Sequence, residues 1–120
     1  MKRDMDRIRD LMLLLEELPP NASKLLHLTG GEASLNAAHI GLMSEGGLAD
    51  AEVLNTFGGE ADVLARGLTW KGHDLLDSIR DASVWKETKS TMLDKAGTLS
   101  FELIKVVATQ IIKQRLGLHA

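Results

Sequence analysis

A chain of 120 residues with 44% hydrophobic content can bury a core of its own as one domain without a disulfide or a structural metal. The absence of cysteine excludes thiolate nucleophiles, thiolate metal sites and disulfides, and it fits a reducing, cytoplasmic setting. A formal net charge of −3 exerts no overall pull toward nucleic acid.

Over residues 2–18, apolar side chains fall at Met5, Ile8, Leu11, Met12, Leu15 and Leu18. These three- and four-residue steps predict an amphipathic helix, which Pro19-Pro20 ends. The run "LMLLLEEL" inside it is too short to cross a bilayer, and "MKRDMDRIRD" mixes acids with bases, unlike a secretory leader. No membrane association is expected. "KLLHL" reads as a short strand, and Gly30-Gly31 breaks the chain after it. A second helix is predicted over residues 32–45, with Leu35, Ala38, Ile40, Leu42 and Met43 among its buried side chains and Gly46-Gly47 as its stop.

"LADAEVL" and "DVLARGLTW" are predicted strands of a hairpin, joined through "NTFGGE" by more than a two-residue turn. Thr69 is placed to cap a third helix that buries Leu75, Leu76 and Ile79. That helix pauses near Asp81 or Ser83, either of which can cap a new turn before Trp85. "LDKAGTLS" reads as a linker, after which Thr98 or Ser100 caps a last helix. The order predicts an α+β fold, mostly α: a winged-helix-like domain over residues 1–93. Residues 94–120 would be a linker and an added C-terminal amphipathic helix. One helix of the usual winged-helix set is absent or folded into residues 32–45.

Four stretches carry a family resemblance: "MKRDMDRIRD", "AAHIGLMSEGGL", "LTWKGHDLLDSIRDASVWKETK" and "SFELIKVVATQIIKQRLGL". Together they resemble an uncharacterised bacterial and prophage family, over most of the chain. "HLTGGEASLN" and "NTFGGEADVLA" match it less closely. The resemblance implies a winged-helix-like domain, frequent in phage and mobile-element contexts, with no established activity and no catalytic residues to carry over.

The residues that could carry chemistry have structural explanations. His73 and Asp77 share a helix face at i, i+4, but a metal needs a further ligand, and His27, His39 and His119 lack zinc-type spacing. His73 is expected to pack near the start of its helix. Asp74, Asp77 and Asp81 line one stripe, with Arg80 placed to pair with Asp77 and Asp74 near the positive end of the helix dipole. No nucleophile or cradle accompanies them, so no catalytic role is assigned. Trp70 and Trp85 are expected in a core or an interface rather than as stacking platforms. The glycine pairs at 30–31, 46–47 and 58–59 match no phosphate-loop pattern. Neither a metal nor another cofactor is expected.

Charge decides between the two readings of a winged helix. Residues 32–66 hold Glu32, Glu45, Asp50, Glu52, Glu60 and Asp62 against Arg66 alone, a balance of −5. A helix and wing so acidic would repel the phosphates that a DNA reader must neutralise. Glu32, Asn36, His39, Glu45, Glu52, Glu60 and Asp62 are therefore taken as a surface for a protein partner, host- or defence-related if the phage setting holds. Residues 83–120 carry six bases against three acids, a modest patch that leaves DNA contact there as the rival reading. The last helix has a broad apolar face, with Phe101, Ile104, Val107, Ile111 and Ile112 as its dimer-interface candidates and Val106 and Ala108 beside them. It must be covered by the chain itself or by a second copy. The expected function is a non-enzymatic interaction module, with a homodimer as one form. The alternative is a DNA-binding transcriptional regulator.

Overall fold

The computed structural model describes residues 1–95 and 100–118, with the side chains of Asp94 and Lys95 excepted. Among the described residues the chain forms five helices and a three-stranded antiparallel sheet. It divides into two compact units, residues 1–73 and 74–120. The boundary expected at 93/94 falls inside the second unit.

The first unit holds helix α1 (Met5–Glu16), strand β1 (Lys24–Leu28), helix α2 (Ala33–Glu45) and strands β2 (Ala49–Phe57) and β3 (Glu60–Leu68). The strand order is β1-β3-β2, so the β2–β3 hairpin places its second strand against β1. This is the winged-helix outline. The helix that would normally lie between β1 and the next helix is absent, since only residues 29–32 separate β1 from α2. In this winged-helix-like outline α2 directly precedes the hairpin, and the β2–β3 hairpin corresponds to the wing.

α1 forms where its stripe predicted. Met5, Ile8, Leu11, Met12 and Leu15 are buried, and the Asp4 carboxylate accepts the Arg7 amide at 3.1 Å as N-cap. α2 is less simply patterned, because small and apolar residues run almost all the way round it. Its buried set is Ala33, Ala37, His39, Ile40 and Met43, whereas Leu35 is exposed and Ala38 and Leu42 are half-buried. Two of the expected core positions, Ile40 and Met43, hold; the phase of the others was misread for want of a polar side. α2 ends on Gly47 at φ 77°, with Leu48 N–H donating to Met43 O at 2.8 Å. That is the left-handed cap only glycine adopts freely.

The hairpin is tighter than expected. Both strands extend to a two-residue turn at Gly58-Gly59, with φ of 53° and 86°, the mirror-image turn whose twist suits a hairpin. β3 alternates, with Ala61, Val63 and Ala65 buried. α1 and α2 both pack on β3, and a Cβ placed on Gly41 of α2 would meet Val53 Cγ2 at 3.7 Å. Only one face of the sheet is covered in this way.

Helix α3 (Trp70–Ile79) begins in the first unit, and the second unit continues with α4 (Ala82–Lys95) and α5 (Phe101–Arg115). The expected caps are present. Thr69 Oγ1 accepts the Gly72 amide at 3.0 Å, Asp81 Oδ1 accepts the Ser83 and Val84 amides at 2.9 Å, and Ser100 accepts the Leu103 amide at 3.3 Å. Thr98, the other proposed cap, lies outside the described residues. The stretch read as a linker is partly helical, since α4 runs to Lys95. α5 packs on α4, and Val84, Trp85, Thr88, Met92, Ile104, Ala108 and Ile111 are all buried.

Candidate functional site

α2 and the wing are where the sequence placed a partner surface, and the structure sorts those residues into two groups. On one side of the first unit, Arg7 of α1 reaches across to α2. Its Nη1 donates to Glu32 Oε2 at 3.2 Å and to Asn36 Oδ1 at 2.6 Å, and its Nη2 donates to Glu32 Oε1 at 3.3 Å. The hydrogen bond from Arg7 holds the Glu32 carboxyl below the usual carboxylate range, with the guanidinium charge adding to it. Glu32 sits at the N-cap of α2 and makes no side-chain cap bond there, because its carboxylate is committed to Arg7.

His39 completes this clamp from within. It is fully buried, its Nε2 accepts the Asp4 amide at 3.0 Å, and its Nδ1 faces Leu35 O at 2.9 Å. A backbone amide can only donate, so Nε2 must be the acceptor and Nδ1 must carry the proton. His39 cannot meet a partner, and its assignment to the partner surface is corrected. A polar ring bearing two bonds is satisfied in a core.

The other group lies on the sheet, apart from Glu45 at the end of α2. His27 of β1 is paired across the sheet with Asp62. Its Nδ1 lies 2.6 Å from Asp62 Oδ1, and its Nε2 lies 3.8 Å from Glu60 Oε1. The bond to Asp62, aided by both carboxylate charges, raises the His27 pKa above the ordinary histidine value. Arg66 Nη1 donates to Asp50 Oδ1 at 3.1 Å. Glu45 and Glu52 are exposed.

The remaining polar residues have structural tasks. Asp77 pairs with Arg80 at 2.9 Å as the helical spacing predicted, and Asp74 pairs with Lys105 at 3.4 Å. The Asp81 carboxyl is held below its usual range by its cap bonds, first from the Val84 amide. His73 is exposed rather than packed. Among the described residues no three histidine, aspartate or glutamate side chains are gathered as a metal ion would need. His119 lies outside those residues.

The tryptophans part ways. Trp85 is buried, with Lys89 Nζ 5.3 Å from its ring centroid. Trp70, at the first position of α3, is 84% exposed, which corrects a place in the chain's own core. Of the dimer-interface candidates, Ile104 and Ile111 are corrected, since they are buried inside the chain. Phe101, Val107 and Ile112 are half-buried, and Leu103 and Val106 beside them face outward. α4 shares the cover that a second copy was asked to supply.

Gly72 was missed from the sequence. A Cβ there would sit 1.9 Å from Leu48 O, so α3 can start against the α2–β2 junction only with glycine at this place. The signal was available: a lone glycine within a helical run marks a close approach.

The chain is 39% identical to an uncharacterised protein of Haemophilus influenzae over 119 residues, which span 98% of this chain and all of the relative. No solved structure matches it. No helix among the described residues is long and apolar enough to cross a membrane. The family model for the hypothetical proteins DUF2513, a group of unknown function, matches residues 2–98, and the chain belongs to that family.

Proposed function

We propose that this protein is a non-enzymatic winged-helix module that binds another protein rather than DNA. The observation that carries the reading is the charge of the two elements that face a duplex in a DNA-binding winged helix. From Glu32 to Arg66, six acids stand against one base; with Glu32 set against Arg7 and Asp50 against Arg66, Glu45, Glu52, Glu60 and Asp62 remain, the last two beside His27. Affinity for a duplex grows from lysines and arginines that displace counterions from phosphates; this surface would add repulsion. The bases of the second unit are largely engaged within it: Lys105 with Asp74, Arg115 with Glu87 and Asp81, and Lys89 over Trp85. Asp74, Asp77 and Asp81 are likewise occupied by an ion pair, an ion pair and a helix cap, which supports a role without catalysis. The mobile-element setting that the resemblance implies directs the search for the partner to host proteins.

The test is a titration of labelled duplex DNA at low and at moderate salt. Only weak, unsaturated binding is expected at either. Tight binding with a steep salt slope would establish the regulator reading instead.

A further inference from the structure

The strand register exposes a surface that α1 and α2 leave bare. Residues directly opposite one another in antiparallel strands share a face. Val63, opposite Leu26 and Val53, lies on the face packed by α1 and α2. The alternate face then carries three cross-strand rows: Leu25, Leu64 and Glu52; His27, Asp62 and Asn55; and Glu60 beside Phe57. Leu25 is 58% exposed and Phe57 83%, while Leu54, the extra residue of the bulge between Val53 and Asn55, is 48% exposed. Single apolar residues on a surface are ordinary, but several on one open sheet face, rimmed by charge, mark a binding surface.

We infer that this open sheet face is the docking surface of the module, and that its occupant is a partner segment carrying lysine or arginine between apolar side chains. The inference rests on the protein-binding reading above and supplies its site and the partner's chemistry. Charge selects the occupant. Asp50, Glu52, Glu60 and Asp62 face outward with only Arg66 and His27 to offset them, both already paired with these acids. A second copy meeting this face through its own would set like charges together, and a phosphate backbone would do the same. The extra residue Leu54 interrupts the β2 edge, whereas the shift at Asp50/Ala51 places its extra residue, Arg66, in the central strand. The β2 bulge disfavours a partner strand added along that edge and favours side-chain contacts over the face.

The experiment is an NMR titration of the full chain with a synthetic amphipathic helix of leucine and lysine, and with its leucine–glutamate counterpart. The basic peptide is expected to shift the amides of residues 25, 54, 57 and 64, and to bind more weakly as salt is raised. Phe57→Ser should weaken it about tenfold and Glu52→Gln about threefold. Glu17→Gln, exposed after α1, should leave it unchanged. The proposal is overturned if neither peptide binds, if both bind alike, if the shifts centre on α4 and α5, or if the sheet variants bind as the parent does. Shifts on this face that grow with protein concentration alone would assign it to a second copy and also overturn it. Peptide failure without duplex binding removes this surface and leaves the reading against DNA standing; duplex binding removes that reading whatever the peptide does.

Discussion

Two regions of the first unit are rich in acids and use them in opposite ways. Between α1 and α2, Asp4 and Glu32 converge on Arg7, with Asn36 accepting from the same guanidinium and His39 fastening the Asp4 amide from below. On the open face of the sheet, Glu52 and Glu60 stand beside Leu25 and Phe57, with His27 drawn to Asp62. In sequence the two groups are alike, polar residues on a helix and a wing. In the fold, the first is a tie between helices and the second is a surface. An acid already bonded to an arginine of its own chain offers a partner far less than one facing water, so a charge count locates a binding region only after those pairs are subtracted.

Substitutions can separate the two regions. The largest effect is expected from His39→Leu, which leaves the Asp4 amide without its acceptor and removes the ring's bond to the Leu35 carbonyl, which keeps its helical bond from the amide of residue 39. Unfolding by denaturant should show a loss of about 2 to 3 kcal/mol, while binding at the sheet face stays intact in the folded protein. A near-neutral result would mean that the clamp does not hold α1.

A smaller effect is expected at His27, and its sign follows from the direction of its pKa. The folded value lies above the unfolded one, so the protonated ring contributes its full stabilisation below about pH 6.5, and that contribution disappears as pH rises through the folded value. His27→Gln should remove this part of the pH dependence of Tm, and a proton titration by NMR should place the parent ring's midpoint above the ordinary histidine value. A midpoint at or below that value would dissolve the clasp with Asp62 and Glu60.

The smallest effects belong to the open face itself. Phe57→Ser and Glu52→Gln should each change stability by less than about 0.5 kcal/mol, because Phe57 is 83% exposed and Glu52 is at the surface. A larger loss from Phe57→Ser would show that the ring is packed in solution and not available to a partner.

Much of this was legible beforehand. α1 was visible because its apolar residues keep one stripe, and Thr69, Asp81 and Ser100 announced their helices because a short hydroxyl or carboxylate before a helical run has few better uses. α2 resisted, since alanine, glycine and leucine on nearly every side give no phase. His39 was therefore read as outward and Leu35 as inward. The apolar face of α5 was correctly seen to need cover, but periodicity does not say whether that cover is a neighbouring helix or another molecule. Trp70 misled because size and apolarity suggest burial, whereas its position at the start of α3 leaves it in water. The open sheet face was invisible for a different reason: it depends on which strands are neighbours and in what register.

The base of the wing is sewn shut. Thr69 N–H donates to Leu48 O at 3.0 Å, the Thr69 hydroxyl donates to Gly47 O, Lys71 Nζ donates to Gly46 O at 3.3 Å, and Gly72 lets the backbones meet there. The chain thus leaves and returns through one tied point, and the hairpin beyond it keeps its strands in the sheet. Its two-residue turn at Gly58-Gly59 lies at the far end from that stem and can be lengthened or re-lettered without touching it.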